Sequence, residues 1–353
     1  MKVLYVGMRY DYGDPRRGDC YEYRNMFGTL EHMTGVQAEF FAFDVLLRER
    51  GRAGMNRALE ERVRSLQPDL CFFALFTDEI ERGTIERISA ITATVNWFAD
   101  DHWRFDGFSR FWAPSFHAVV TTDRESVPRY HHAGIRNVIL SQWAFNHFLR
   151  GNDGAVQDLG VTFVGQVHST RQALVQRLQR EGIDVTAWGR GWPAGRLGTG
   201  DLATLYARSA INLNFSESSV VLDLRSATKI FISRRADDTL HLRGLRAMAG
   251  HARHVLRRPR PQIKGRTFEV PGAGGFLLTG AAEHLDSYLV PGKEVAVFHD
   301  ADELVERTRY YLSNPEEREA VRRAGHERVL REHTYEQRFL KIFKEMGLHA
   351  DVQ

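Results

Sequence analysis

Cysteines and long apolar runs are both scarce in this sequence. Only Cys20 and Cys71 occur among its 353 residues, each within or beside an apolar segment. Two isolated cysteines argue against a disulfide framework and against a cysteine metal cage, and they fit a reducing compartment. No apolar run approaches the roughly 20 residues of a membrane-spanning helix, and MKVLYVG carries no long apolar signal segment. We expect a cytoplasmic protein without a transmembrane segment.

A strong charge imbalance is also absent. The net charge is +3, with 43% hydrophobic and 26% charged residues, which is the composition of an ordinary globular protein. Nucleic acid is therefore not an expected partner. One local basic run can attract a phosphate of any kind. It consists of Arg253, Arg257, Arg258, Arg260, Lys264 and Arg266.

The first 150 residues alternate between strand and helix patterns. The predicted strands are KVLYVG, VQAEFFAFDV, PDLCFFALF, ITATVNWFAD, FHAVVTTD and RNVILSQWAF. Helical spacing of apolar residues connects them at 21–32, 55–66 and 79–91. Repeated strand, helix, strand units predict right-handed crossovers and a parallel sheet.

The alternation restarts after GNDGAVQDLG, which is typical of a linker. Strands are predicted at 161–165, 184–188 and 210–215, and helices at 170–181, 201–209 and 302–312. Asn314 and Pro315 predict the N-cap and first turn of a further helix. We expect an α/β protein of two Rossmann-like domains, 1–150 and 158–335, facing a central cleft, and a last helix at 336–353. The segment 217–260 fits no clear pattern and is compatible with an inserted helix.

The stretch QIKGRTFEVPGAGGFLLTG, residues 262–280, has the features of a phosphate site. A short helix beginning near Gly265 to Thr267 would direct free amides at a diphosphate, with Lys264 and Arg266 adding positive charge. Glu269 would then lie within reach of ribose hydroxyls. The alternative is an amphipathic helix and turn whose charged side chains are simply solvated.

The same stretch, followed by LVPGKEVAVFHDADELVERTRYYLSNPEEREAVRRAGHERVLREHTYEQRF, resembles the C-terminal half of a glycosyltransferase of GT-B architecture. It is most similar to the CgeB-like group, related to glycosyltransferase family 4, over about 90 residues. VTFVGQVHSTRQALVQRLQREGIDVTAWGRGW and VNWFADDHWRF extend the resemblance more weakly. The resemblance implies a sugar nucleotide bound mainly by the C-terminal domain, an acceptor bound mainly by the N-terminal domain, and a last helix that crosses back.

Carried over by residue, the resemblance assigns Glu269 to the ribose and Lys264 and Arg266 to the diphosphate. It departs at Pro261, where family 4 usually has a second glutamate, so an acidic contact to the donor sugar from that position is not expected.

Loops after other strands supply further candidates. We predict that Gly165 and Gln166 face the donor phosphates through their amides, and that Trp188 and Gly189 flank the nucleobase, although Trp188 also fits a core position. Asn214, together with Ser216, would contact the donor sugar.

In the first domain, Asp100, Asp101 and His102 follow a predicted strand and are candidate catalytic residues, since a carboxylate or imidazole there can accept a hydroxyl proton. Capping of the next turn explains them equally well. No further ligand at a telling spacing supports a metal site.

The loop GMRYDYGDPRRGD, residues 7–19, lacks the GxGxxG pattern of dinucleotide-binding loops, which leaves no support for such a cofactor. Tyr10, Tyr12 and Arg17 are candidates for acceptor binding.

These features together predict a glycosyltransferase that moves a sugar from a nucleoside diphosphate sugar to an unidentified hydroxyl acceptor. It would need no cofactor or metal, and the resemblance favours retention of anomeric configuration. Two alternatives stay open, a GT-B-shaped sugar-nucleotide epimerase and a non-catalytic protein associated with a spore or surface layer. The sequence does not determine the oligomeric state.

Overall fold

The computed structural model describes residues 1–149, 156–198, 200–216, 232–242, 244, 248 and 260–349. Two compact units divide the chain. The first contains Met1–Gln142, Val220–Arg258 and Arg338–Gln353, and the second contains Trp143–Ser219 and Pro259–Gln337. The boundary thus falls at Gln142 rather than near residue 150, and a segment from the middle of the second unit's sequence belongs to the first unit.

A six-stranded parallel sheet forms the centre of the first unit. Its order is β2-β1-β3-β4-β5-β6. The strands are β1 (Lys2–Gly7), β2 (Gln37–Ala42), β3 (Leu70–Phe73), β4 (Ala93–Phe98), β5 (Ala118–Thr121) and β6 (Val138–Leu140). All four residues of β3 are buried, as expected for a parallel strand covered on both faces.

Helices cover this sheet. They are α1 (Gly28–His32), α2 (Phe43–Leu66), α3 (Arg82–Ser89), α4 (Asp101–Arg104), α5 (Arg110–Trp112) and α6 (Ser126–His132), with π-helical turns at Tyr23–Phe27 and Phe105–Ser109. Helix α2 begins twelve residues before the predicted start at Met55, and Gly51, at φ 66°, interrupts it. Glycine tolerates this left-handed conformation because it has no β-carbon.

The second unit contains a five-stranded parallel sheet of order β13-β12-β9-β7-β8. Its strands are β7 (Leu159–Val164), β8 (Val185–Trp188), β9 (Ser209–Asn214), β12 (Leu277–Gly280) and β13 (Ala296–Phe298). Its helices are α7 (Ser169–Arg180), α8 (Leu202–Arg208), α9 (Arg266–Gly272), α10 (Ala301–Ser313) and α11 (Pro315–Glu332), while α12 (Tyr335–Glu345) runs from the second unit into the first. No helix in the described ranges is long and apolar enough to cross a membrane.

Within the segment 217–260, residues 232–242 form a hairpin, and the predicted inserted helix falls mostly outside the described residues. Strands β10 (Ile232–Arg234) and β11 (Leu240–Leu242) pair in antiparallel fashion. At the hairpin tip Ala236 is fully buried, its amide donates to Glu79 at 3.1 Å, and its carbonyl accepts from Arg48 at 2.7 Å. These contacts fix the hairpin to the first unit.

Both sheets have a switch point, where the connections leave in opposite directions. In the first sheet it lies between β1 and β3, and in the second between β7 and β9. The loops that follow the two strands go to opposite faces of the sheet there and leave a crevice between them. Open α/β sheets bind ligands in such a crevice. The sequence-based α/β class with parallel sheets is confirmed. Pro315 does begin α11, but the Asn314 side chain donates to Tyr310 instead of capping the helix.

Close packing at the end of α9 yields a test of the fold. A β-carbon at Gly272 would overlap the ring of Phe145, whereas one at Gly160 meets no atom within 4 Å. We expect Gly272→Val to lower the free energy of unfolding by about 1–3 kcal/mol, since an overfilled core must shift. Gly160→Val, on an exposed strand position, should change it by less than about 0.5 kcal/mol. Urea denaturation measures both, and equal midpoints for the two variants would contradict this packing.

Candidate functional site

Arg266 joins the two strands at the switch point of the second sheet. It is the first residue of α9, its Nη1 donates to the carbonyl of Val164 at 2.7 Å, and its Nε donates to Oδ1 of Asn214 at 3.0 Å. Val164 ends β7 and Asn214 ends β9. The guanidinium is thereby held where a ligand of this sheet is expected to bind.

A second arginine converges on the same point. Arg171, in the first turn of α7, donates through Nη1 to the carbonyl of Gln166 at 2.9 Å. A β-carbon on Gly165 would lie 3.0 Å from Nη1 of Arg266 and 3.3 Å from Nη1 of Arg171. The guanidinium carbons of Arg266 and Arg171 lie 5.5 Å and 5.6 Å, respectively, from the ring centre of Phe163, within the range of a cation–π contact.

Neither of these two arginines forms an ion pair with a carboxylate within the described part of the chain, where their partners are backbone carbonyls and the amide of Asn214. Nε of Arg171 is buried without a hydrogen bond among the same residues. Burial, followed by the charge of Arg266, lowers the pKa of Arg171 to about 9. Like charges held together without an acid form a site that an anion would stabilise.

His168 and Lys264 complete a basic cluster, which we define as His168, Arg171, Lys264 and Arg266. His168 precedes the first residue of α7, and burial together with the three cations lowers its pKa to about 4. Lys264 precedes α9 and donates to Gln262 at 3.1 Å. The sequence prediction included Lys264 and Arg266 but neither His168 nor Arg171.

The predicted glycines shape the backbone beside the cluster. Gly189, at φ 131°, has no room for a β-carbon because the carbonyl of Gly165 lies against it. The same carbonyl accepts from the indole of Trp192 at 2.9 Å. Gln166 is exposed next to the cluster, whereas Trp188 is half-buried and packs with the apolar residues around α9. The structure thus favours the core alternative for Trp188, and a nucleobase contact there stays a prediction.

Other predicted donor residues are buried in the second unit. Asn214 is fully buried, accepting from Arg266 and donating to Thr279 at 2.9 Å, so both ends of its amide are occupied. Ser216 donates to the carbonyl of Ala281 at 2.7 Å. Asn214 thus supports Arg266, and contact of Asn214 and Ser216 with the donor sugar stays a prediction.

The next two candidates belong to α9. Thr267 is 1% exposed, and Glu269 is 8% exposed. Glu269 lies one turn after Arg266, as predicted, and its contact with a ribose stays a prediction.

The predicted acceptor residues lie at the switch point of the first sheet. Tyr10 donates its amide to Asp44 at 3.0 Å. Tyr12 has φ 52° and is 50% exposed, and the guanidinium of Arg17 lies 4.3 Å from its ring centre. Arg17 also pairs with Asp11 at 2.9 Å. Tyr12 thus presents a partly open aromatic surface, as an acceptor-binding residue would.

Asp101 differs from the other candidate catalytic residues. It is fully buried and accepts a hydrogen bond of 2.8 Å from the hydroxyl of Tyr130. Burial raises the pKa of Asp101 to about 6. Asp101 has no solvent exposure in this structure, and its catalytic role stays a prediction. Asp100 and His102 are half-buried and stay predictions.

The sequence prediction missed Glu22, which shares this region with Asp100. Burial, with a contribution from the charge of Asp100, raises the pKa of Glu22. Burial also raises the pKa of Tyr12, and Asp11, Asp100 and Glu22 add to that effect. Acidic groups from two strand ends therefore face one polar region. Glu22 falls inside a predicted helix, one turn after the loop 7–19. Its position near that loop is the feature of the sequence that could have identified it as a candidate.

The hairpin tip supports the loop 7–19. Arg48 donates to the carbonyls of both Gly13 and Ala236, at 2.9 Å and 2.7 Å. Arg235 binds both carboxylate oxygens of Asp78 at 2.8 Å. The position of the loop therefore depends on residues far away in sequence.

The described residues contain no group of three or more His, Cys, Asp or Glu side chains that could hold a metal.

Comparison with known proteins identifies part of the chain. Residues 170–344, about half of the sequence, match a family model described as glycosyl transferase-like. These residues belong to the glycosyl transferase-like family. The matched segment includes Arg171, Lys264, Arg266 and Glu269. No curated protein matches the chain by sequence.

Solved structures share the fold of this chain. HepE from Anabaena, solved with UDP and with UDP-glucose, superposes with TM-scores of 0.60 at 10% identity, over 98% of this chain and 98–99% of that protein. Sucrose-phosphate synthase from Thermosynechococcus elongatus has a TM-score of 0.59 at 9% identity, over 98% and 99%. A protein from Listeria monocytogenes described as a putative UDP-N-acetylglucosamine 2-epimerase reaches 0.52 at 9% identity, over 98% and 96%. The predicted GT-B fold is confirmed.

The buried Asp101 gives a pH-dependent test. Its raised pKa means that the folded state binds the proton more tightly, so its contribution to stability is complete below about pH 3.8 and is lost as pH rises through about 6. Asp101→Asn lacks this titration. We expect the variant to gain up to about 3 kcal/mol relative to the wild type between pH 4 and pH 7, from a shift of about two pKa units.

Urea denaturation at several pH values measures this difference, and a constant offset between the two proteins would contradict it. Asp78→Asn is the matched control. Burial raises the pKa of Asp78, but the hydrogen bonds from Arg235 and the charges of His241, Arg235 and Arg52 together outweigh it, so the net shift is downward. Its variant should therefore lose stability relative to the wild type as pH rises towards about 3.8, and the difference should stay nearly constant over the range in which Asp101→Asn gains.

Proposed function

We propose that this protein transfers a glycosyl group from a nucleoside diphosphate sugar to a hydroxyl acceptor, with a UDP-sugar as the first donor to test. The observation that carries the proposal is the basic cluster. It lies at the switch point of a parallel sheet, in the segment that matches the glycosyl transferase-like family, and its two arginines lack acidic partners among the described residues. The UDP-bound structures of HepE support the choice of UDP.

The cluster would stabilise the departing diphosphate. Negative charge grows on the phosphate oxygens as the glycosidic bond breaks, and fixed cations aimed at those oxygens lower the barrier most where this charge develops. Arg266 and Arg171 are held by backbone carbonyls, Asn214 and the ring of Phe163, so little reorganisation is needed. Glu269 would bind the ribose hydroxyls.

Several finer features belong to this proposal. The arginines and Lys264 supply the positive charge that a divalent cation would otherwise provide, which favours a metal-independent reaction. Resemblance to family 4 favours retention of anomeric configuration, transfer of a hexosyl group and membership of the CgeB-like group. Acceptor binding through Tyr10, Tyr12 and Arg17, with Asp100 or His102 as catalytic groups, is predicted for the first unit. A cytoplasmic location also stays a prediction.

Removing one cation should weaken nucleotide binding. We expect Arg171→Ala and Arg266→Ala each to raise the Kd for UDP about 10- to 100-fold, because each loses a charge-assisted hydrogen bond worth about 1.5–3 kcal/mol. Arg180→Ala is the control, since Arg180 lies on the same helix and donates only to the carbonyl of Gln176 among the described residues. Isothermal titration calorimetry measures the Kd, after a thermal-shift panel of UDP, GDP, dTDP, ADP and CMP selects the nucleotide. Unchanged affinity in an Arg266→Ala, Glu269→Ala double variant would end the proposal.

A sugar-nucleotide epimerase is the second candidate, favoured by the similarity to the Listeria monocytogenes protein. The two functions differ in their products. An epimerase converts UDP-N-acetylglucosamine without an acceptor into a second UDP-sugar, whereas a transferase releases UDP. We expect UDP release alone, which nuclear magnetic resonance of the reaction mixture distinguishes. A new UDP-sugar would replace the transferase proposal, and nucleotide binding without turnover on a broad acceptor panel would favour the non-catalytic alternative.

A further inference from the structure

The ring of His168 lacks the contacts expected of a buried polar group. Both ring nitrogens are buried and neither has a hydrogen-bond partner among the described residues. His168 occupies the N-cap position of the twelve-residue helix α7 but makes no side-chain cap hydrogen bond. An unsatisfied buried polar atom is unfavourable, because it has lost its hydrogen bonds to water without replacing them. Such an atom in a native structure calls for an explanation, for example a partner that arrives with a ligand.

The charges that face His168 are all positive. Arg171 lies on its own helix, while Lys264 and Arg266 come from the loop before α9 and from α9 itself. Among the described residues, no carboxylate contributes to the shift of its pKa. Burial and these cations lower the pKa of His168 to about 4, which leaves the ring neutral near pH 7 when no anion is bound.

We propose that His168 takes up a proton when a nucleoside diphosphate sugar binds and then donates a hydrogen bond to the diphosphate. This inference rests on the proposed function. The proton comes from a buffer acid or a hydronium ion, whose bond to hydrogen breaks as the N–H bond of the ring forms. It returns to buffer or water when the nucleotide leaves, and no other covalent bond forms or breaks.

The reason is a reversal of the local electric field. The diphosphate of a sugar nucleotide carries two negative charges, which offset the three cations that keep the imidazole neutral. An anion within hydrogen-bond distance favours the charged form of histidine and raises its pKa. The protonated ring then adds a positive charge and satisfies a buried nitrogen. The structure accordingly assigns His168 to the donor site as a group whose charge depends on occupancy.

Calorimetry with UDP-glucose tests the inference. Both phosphates of UDP-glucose are esterified, so the ligand exchanges no phosphate proton near pH 6. We expect the binding heat at pH 6 to differ between two buffers of different ionisation enthalpy, which corresponds to uptake of up to one proton per ligand. The Kd should rise by up to about tenfold per pH unit between the pKa values of the free and bound states.

Two variants identify the residue. His168→Gln should bind UDP-glucose with equal heat in both buffers. His299→Gln should keep the buffer dependence, because His299 is an exposed residue of the same unit that pairs with Glu303. If the thermal-shift panel selects another base, the corresponding sugar nucleotide replaces UDP-glucose.

The outcomes separate this inference from the proposed function. Binding of UDP-glucose by the wild type with equal heat in both buffers overturns the role of His168 and leaves the donor site intact. Failure to bind any sugar nucleotide overturns the proposed function itself. Should His168→Gln lose binding entirely, histidine resonances of the wild type decide. A pKa of His168 that rises on adding UDP-glucose supports proton uptake, and an unchanged pKa refutes it.

Discussion

The basic cluster of the second unit holds like charges together, and its two arginines form no ion pair with a carboxylate among the described residues. Arg171 and Arg266 converge at Gly165, and His168 and Lys264 add to the same field. Repulsion among these groups and the loss of hydration both oppose the arrangement, and the lowered pKa of Arg171 reflects that cost. Other contacts must therefore compensate for this unfavourable free energy, and the contacts with neighbouring residues provide that compensation.

Each support acts on a specific atom. Carbonyls of Val164 and Gln166 accept from the guanidinium groups, and Phe163 offers its ring to both. Asn214 is oriented by Thr279 so that its oxygen faces Arg266. Asn214, which the sequence analysis assigns to the donor sugar, thus holds Arg266 in place. An arginine that is fixed before the ligand arrives loses less entropy on binding.

Residues of the site that lie close together in the sequence could be predicted, whereas residues that lie far apart could not. Lys264, Arg266 and Glu269 stand within six positions and could be found as one motif. Arg171 acquires its role only because the order of β7 and β9 brings the start of α7 beside α9, which no local pattern contains. The burial of Asp101 could not be predicted for a related reason, since ADDHW does not reveal which of two adjacent carboxylates faces the core. The hairpin at 232–242 was missed because its partners, Arg48, Asp78 and Glu79, lie more than 150 positions earlier.

A cationic site of this kind affects binding and chemistry differently. The two charges of a sugar nucleotide already gain from the cluster in the ground state, and that part of the interaction lowers KM without accelerating bond cleavage. Only the additional charge that develops on the leaving phosphate raises kcat. A histidine that is charged beside a phosphate strengthens the positive field once the anion is present. Because the same histidine is neutral in the empty site, it adds no repulsion to the cations there. The same physics predicts that the free nucleoside diphosphate, which has the greater negative charge, is held more tightly than the donor, so product release is the step that this arrangement makes slow.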